Sequence, residues 1–256
     1  MQNGSNSPLF IGANHIHLAE TTSTNAALKT LMAEKRLAEG TVLSTGQQTA
    51  GRGQAGTVWE GARDQNIMLS VLLYPKFIST SSQFLISKAV ALAVHDLVMS
   101  LMPKESVTIK WPNDILIGKR KVCGILIENS LQGGNIESCI VGIGLNVNEL
   151  QIDPLRISLK NILGIDYNLR HIEKNLFACI EKRYLQLKSH PEDISRDYLA
   201  ALFGYGEKRQ FVDLKENQGF EGTIHGVHRD GRLLVRTAHG EEKLFGLKEL
   251  AMKERM

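Results

Sequence analysis

Between Val107 and Ile143 the chain carries four short apolar runs, and this density of strands is what most narrows its possible folds. The runs are Val107 to Lys110, Ile115 to Ile117, Val122 to Glu128 and Ile136 to Ile143. Trp111-Pro112-Asn113-Asp114, Gly118-Lys119 and Gly133-Gly134 separate them, and turn residues at this spacing predict hairpins in a mostly antiparallel sheet. Upstream, His15 to Leu18 and Val42 to Thr45 read as short strands. A helix between them is capped by Thr22 or Ser23 and closed by Gly40. Asn66 to Tyr74 alternates and predicts a half-buried strand, with Ile67, Leu69, Val71 and Leu73 on one side. Ser82 to Met102 and Arg170 to Leu187 have helical periodicity, and Pro191 opens a shorter helix ending near Leu202.

After Gly204-Tyr205-Gly206 the texture changes to short strands: Phe211-Val212, Phe220 to Val227, Arg232 to Thr237 and Lys243 to Phe245. Asp230-Gly231 and His239-Gly240 mark turns among them. The expected architecture is α+β, a mixed, mostly antiparallel sheet with helices on one face, followed by a small all-β module. Residues 1–203 would form the first domain and 204–256 the second. A chain of 256 residues, 43% hydrophobic, is long enough for that arrangement.

A net charge of +3 argues against a protein that coats nucleic acid. No apolar run approaches the roughly 20 residues of a membrane span, and the polar opening Met1 to Pro8 lacks the apolar core of a signal peptide. Cys123, Cys139 and Cys179 are odd in number and widely spaced. They indicate neither a disulfide framework nor a zinc site, and a reducing, cytoplasmic setting fits best. His15 and His17 share one strand face but lack partners at metal-ligand spacing.

Four clusters carry chemistry. Ser23-Thr24-Asn25 stands at a helix start, where free N–H groups attract acceptors, although taken alone an ordinary cap is the plainer reading. Gln48 to Trp59 holds Gly51, Gly53 and Gly56 around Arg52; glycines able to take positive φ beside a planar cation make an anion-handling loop. Lys110-Trp111-Pro112-Asn113-Asp114 precedes Lys121, which enters a buried strand beside Gly124, and glycine in a strand often marks close approach of a ligand. Gly142-Ile143-Gly144-Leu145-Asn146 interrupts a strand, with a β-bulge as the plain alternative.

In this order, the clusters resemble those of the biotin protein ligases, or biotin–[acetyl-CoA-carboxylase] ligases. The similarity rests on Ser-Thr-Asn at 23–25, Gln-Thr-Ala-Gly-Arg-Gly at 48–53 with Trp59, Lys-Trp-Pro-Asn-Asp at 110–114, Lys-Val-Cys-Gly-Ile-Leu-Ile-Glu at 121–128 and Gly-x-Gly-x-Asn at 142–146. It spans approximately residues 15 to 250. The resemblance implies a class II synthetase-like catalytic fold followed by a Src-homology-3-like barrel. It implies ATP and biotin as substrates with Mg²⁺ on the nucleotide, and a biotin carboxyl carrier domain as partner. Biotinyl-5′-AMP would form first, and the biotinyl group would then pass to one carrier lysine.

Carried over by position, the resemblance gives Ser23, Thr24, Asn25 and Gln48 to the biotin ring and Gly51, Arg52 and Gly53 to a ligand-ordered loop. It gives Lys121 and Gly124 to the valeryl carboxylate end, and Trp59, Asn66 and Asn146 to the adenylate. Arg52 and Lys121 are the expected catalytic cations, and Asp114 is expected to assist the acceptor lysine. Many relatives read Gly-Arg-Gly-Arg-x-Gly-Arg in the loop; here Gln54 and Thr57 stand at the second and third arginines, so Gln54 would meet phosphate as a neutral donor. Metal ligands are not indicated, and a homodimer stays open. About 14 residues precede the first strand, too few for the DNA-binding domain of some relatives, so the expectation is catalysis without DNA regulation. The competing readings are a lipoate or octanoate ligase or transferase of the same superfamily, and a non-catalytic biotin- or nucleotide-binding protein.

Overall fold

A computed structural model describes residues 8–150 and 153–253; the polar segment of residues 1–7 lies outside the described residues. Seven strands form the main sheet: β1 (His15–Leu18), β2 (Val42–Thr45), β3 (Ile67–Leu73), β4 (Val107–Lys110), β5 (Asp114–Ile117), β6 (Arg120–Gln132) and β7 (Asn135–Leu145). Their order is β1-β2-β3-β7-β6-β5-β4. The pairing of β1 with β2 is parallel and the others in the sheet are antiparallel, as the hairpin turns predict.

Helices α2 (Phe84–Leu101), α4 (Leu169–Ser189) and α5 (Pro191–Ala201) pack together on the face made by Ile67, Leu69, Val71 and Leu73. Helix α1 (Thr24–Glu34) lies against the other face, where Leu28 meets Leu43, Leu72 and Ile140. This second layer corrects the reading of β3 as half-buried, since every one of its residues is buried. Helix α1 also ends six residues before Gly40, at Glu34, and Leu37 fills the same apolar cluster. A short helix, α3 (Leu159–Leu163), carries a capping box at Ser158.

The segment Thr80–Leu101, which includes α2, is long and apolar enough by length and composition to cross a membrane. That corrects the expectation that no such stretch exists. Here most of its apolar residues, from Ile86 to Val98, are buried between the sheet and α4 and α5, so the hydrophobicity follows from being covered on most sides.

The C-terminal sheet comprises β8 (Lys208–Asp213), β9 (Gln218–Val227), β10 (Leu233–Thr237), β11 (Glu242–Phe245) and β12 (Leu250–Met252), ordered β11-β10-β9-β8-β12. Its antiparallel strands agree with the expected small all-β module, and β12 was too short to read from periodicity. Trp111 Nε1 donates to the Gly231 carbonyl at 2.8 Å, and Phe84 packs against Gly231. Phe211, Ile224, Leu233, Val235 and Phe245 belong to the same apolar core as the main sheet's helical face.

Candidate active site

The four sequence clusters meet at one cavity of roughly 340 Å³, between the α1 face of the main sheet, the glycine loop and the C-terminal sheet. Its floor exists because three strand positions lack side chains. Gly124 of β6 lies opposite Gly144 of β7, and Leu126 lies opposite Gly142, in an uninterrupted register. Gly142 and Gly144 therefore mark no bulge. A Cβ on Gly142 would sit 2.5 Å from Asn25 Oδ1, and one on Gly144 would enter the Trp59 ring. Close packing of ligand-facing side chains is the reason for glycine here.

At one end stands the start of α1. Ser23 occupies the N-cap position but makes no side-chain capping bond. Instead Gln48, on the segment paired beside Thr21, caps the helix, its Oε1 accepting from Thr24 N at 2.8 Å and Thr24 Oγ1 at 3.2 Å. The Ser70 hydroxyl donates within reach of Thr24 Oγ1 (2.7 Å) and Asn25 Oδ1 (2.6 Å). Asn25 Nδ2 donates to Glu128 Oε2 at 2.7 Å. Ser23, Thr24 and Asn25 are all buried, a compact set of hydroxyl and amide groups suited to a polar head group.

Two cations of the cavity face carboxylates, Arg52 beside the Asn25–Glu128 contact and Lys121 farther along β6. Lys121 Nζ lies 2.6 Å from Asp114 Oδ1 and 5.8 Å from the Trp59 ring centroid. A register shift between β5 and β6 explains its direction. Val122 and Cys123 both enter the core, so Lys121 and Gly124 both turn to the cavity. Arg52 Nη2 lies 3.2 Å from Glu128 Oε2. The glycine loop folds back on itself, with Gly53 N donating to Thr57 O at 2.7 Å and Trp59 N to Gly51 O at 3.0 Å. Of its three glycines only Gly56 takes a positive φ, of 82°. Gly51 and Gly53 are glycine for space, since a Cβ would strike Trp59 O and Thr57 Oγ1 respectively.

Trp59 lies flat over the floor, 9% exposed, and its buried Nε1 has no hydrogen-bond partner among the described residues. A buried N–H without an acceptor is costly, and at a cavity wall a ligand acceptor satisfies it. Gln54 also lines the cavity.

Asn66 and Asn146, which the resemblance gives to the adenylate, lie outside the cavity lining. Asn66 Nδ2 bonds Glu149 Oε2 and its Oδ1 accepts from Val147 N at 3.0 Å. Asn146 Nδ2 bonds Ile157 O at 3.2 Å and lies 3.5 Å from Lys121 O. Both amides hold the backbone around the end of β7 and the start of β6. Sequence reasoning missed Lys248, which lines the cavity, and Glu128 and Ser70, which bond the lining residues Thr24, Asn25 and Arg52. Glu128 closed a quoted motif, but nothing in the pattern showed which way it faces. His15 and His17 share the Ser44 hydroxyl, at 2.8 and 3.0 Å. Burial and the neighbouring His17 hold the His15 ring below the usual imidazole range.

The chain matches the biotin/lipoate A/B protein ligase family over residues 18–146, which includes α1, the glycine loop and the strands of the cavity floor. It is 31% identical over 222 residues to the biotin–[acetyl-CoA-carboxylase] ligase of Mycobacterium tuberculosis, covering 85% of this chain and 81% of that one. It is 29% identical over 224 residues to the bifunctional ligase/repressor BirA of Bacillus subtilis, covering 84% of this chain and 67% of that one. The biotin protein ligase from Aquifex aeolicus, solved in complex with biotin and ATP, superposes with a TM-score of 0.76 at 26% identity, over 95% of this chain and 100% of that one. The chain belongs to the biotin/lipoate A/B protein ligase family, among its biotin protein ligases.

Proposed function

We propose that this protein joins biotin to ATP and passes the biotinyl group to a lysine of a biotin carboxyl carrier domain. The observation that carries the reading is the meeting of a buried hydroxyl and amide head-group site with two cations, Arg52 and Lys121, at one cavity. In the first step a biotin carboxylate oxygen attacks the α-phosphorus of MgATP. The new acyl–phosphate bond forms as the bond to pyrophosphate breaks. Two anions must approach each other, so the catalytic demand is for positive charge at the reacting phosphate. Arg52 and Lys121 supply it, each exchanging its carboxylate partner for the substrate. Mg²⁺ would be held by the nucleotide's phosphates and water and would supply further positive charge there; the described residues include no group of three His, Cys, Asp or Glu that could hold a metal ion.

Ser23, Thr24, Asn25 and Gln48 hold the ureido ring, and Gly124 leaves room for the carboxylate end. Trp59 offers its unpartnered N–H to the adenylate. In the second step the acceptor amine attacks the acyl carbon, AMP leaves, and the ammonium proton is lost. Asp114 stands beside Lys121 to receive it. Gly51, Arg52 and Gly53 close over the mixed anhydride and keep water away.

The test is incubation with labelled biotin, ATP and a purified biotin carboxyl carrier domain. Label on the carrier lysine, preceded by biotin-dependent ATP–pyrophosphate exchange, is expected. Exchange driven by lipoate or octanoate in place of biotin would overturn the substrate assignment. Binding without exchange would overturn catalysis.

A further inference from the structure

Two polar side chains stand behind the head-group end of the cavity without lining it: Ser70 of β3, which is 0% exposed, and Glu128 of β6. Ser70 Oγ lies 2.6 Å from Asn25 Oδ1 and 2.7 Å from Thr24 Oγ1. Asn25 Nδ2 lies 2.7 Å from Glu128 Oε2. Thr24 and Asn25 themselves line the cavity, so a single chain of hydrogen bonds joins its wall to a carboxylate outside it.

Counting protons fixes the direction of each bond. Glu128 pairs with the Arg52 guanidinium and, as a carboxylate, only accepts. Asn25 therefore turns its NH₂ end to Glu128, and that end also lies 3.4 Å from the Leu126 carbonyl. The Asn25 amide oxygen then faces Ser70 with no proton to give, so the Ser70 hydroxyl donates to it. With its one proton committed, Ser70 accepts at its other contact, and the Thr24 hydroxyl is the donor there. Every donor in the chain points away from the cavity, toward the Glu128 charge.

At the cavity wall, Thr24 Oγ1 is left with lone pairs alone. Gln48 Oε1, which accepts from Thr24 N at 2.8 Å, is a second acceptor beside it. Buried acceptors left without a donor are costly, so a head group that fits here brings N–H groups of its own. A cyclic urea has them; a dithiolane ring or an alkyl chain has none.

We propose that Ser70 and Glu128 are positioning residues that hold Thr24 Oγ1 as an obligate acceptor and thereby select the substrate by its ring N–H groups. They act through Thr24 and Asn25 and do not touch the ligand. The identity of that ligand rests on the ligase reading.

Equilibrium binding of biotin and of its two cyclic carbamate analogues, each with oxygen in place of one ring N–H, tests the assignment. Wild type should bind at least one analogue roughly 10- to 100-fold more weakly than biotin, because an acceptor is left unpaired. Ser70→Ala frees the Thr24 proton to meet the ring oxygen, so this gap should close to within about threefold. Biotin itself should bind about tenfold more weakly, with the loss in the KM for biotin rather than in kcat. Glu128→Leu lets the Asn25 amide turn over and reverse the chain, and it should narrow the gap likewise. A gap kept at its wild-type ratio in either variant, with biotin and analogue weakened alike, would overturn the proposal. Equal binding of biotin and both analogues by wild type would also overturn it while leaving the ligase reading intact. Failure of wild type to bind biotin at all would overturn the ligase reading and this assignment together.

Discussion

Lys121 is aimed by backbone irregularity as much as by its own chemistry. The register shift beside Val122 lets two successive residues enter the core and turns the lysine to the cavity. There Asp114 and the Trp59 face hold its ammonium ready. Lys121→Ala should slow adenylate formation at least about a hundredfold, since one such electrostatic contact is commonly worth about 2.7–4 kcal/mol in the transition state. Single-turnover formation of biotinyl-adenylate measures this directly, and a normal rate would remove Lys121 from the mechanism. Lys121 and Arg52 were legible in the sequence because a cation beside glycine is unusual in a buried strand or a tight loop. Glu128 and Ser70 were not, because a strand residue's chemistry depends on which face its register presents. The bracing bonds of Asn66 and Asn146 were not legible for a related reason: an amide that braces a loop and one that meets a ligand are the same in a sequence.

At the scale of elements, the cavity is a property of β7 and what lies on it. Ala in place of Gly144 would drive a methyl into the Trp59 indole and lift it from the floor. Overpacking of this kind costs about 1–3 kcal/mol, so Gly144→Ala should weaken nucleotide use roughly 5- to 100-fold. Exchange kinetics should show the loss in the KM for ATP, with biotin binding at the α1 end nearly unchanged. Equal losses for both substrates would mean that Trp59 supports the whole cavity. The pattern of apolar residues revealed α2 and α4 well, and it revealed one face of β3. The second layer formed by α1 escaped, because Leu28 and Leu72 find each other only after β2 and β3 pair.

The helical layer itself is fastened by Arg183 on α4, which reaches Asp96 of α2 and Asp197 of α5, each at 2.7 Å. Burial alone would raise the Asp96 carboxyl, but the nearby His95 ring and the hydrogen-bonded Arg183 guanidinium outweigh it and hold the group below its ordinary 3.8. A carboxylate depressed in the folded state adds stability above its unfolded value, and the gain is lost as pH falls through the folded value. Arg183→Met should lower Tm by about 5 °C at pH 7, on a cost of about 2 kcal/mol for the charged hydrogen bonds. The gap between variant and wild type should shrink below about pH 4. A gap that stays constant down to pH 3 would show that Arg183 acts by packing alone.

For the molecule as a whole, the question is whether the C-terminal sheet is an appendage or part of one folding unit. The change of texture after Gly204 made the sheet legible, and we propose 203/204 as the domain boundary. The contacts across that boundary were not legible, because they join residues far apart in the chain. Trp111 bonds Gly231, Phe84 packs against the same glycine, and Lys248 Nζ donates to Ala55 O at 2.7 Å. One apolar core runs through both sheets. With so much shared surface, opening the junction alone would expose Phe84, Trp111 and Leu202 to water, so the two parts should melt together. The chain's two tryptophans allow a clean test, since Trp59 reports the cavity and Trp111 the junction. Trp111→Phe should cost about 0.5–1.5 kcal/mol for the lost hydrogen bond and leave Trp59 as the sole indole reporter. In that variant, Trp59 fluorescence and far-UV circular dichroism should trace one coincident transition. Resolved transitions, with the fluorescence change separate from the loss of strand signal, would mean that the cavity survives without its C-terminal wall.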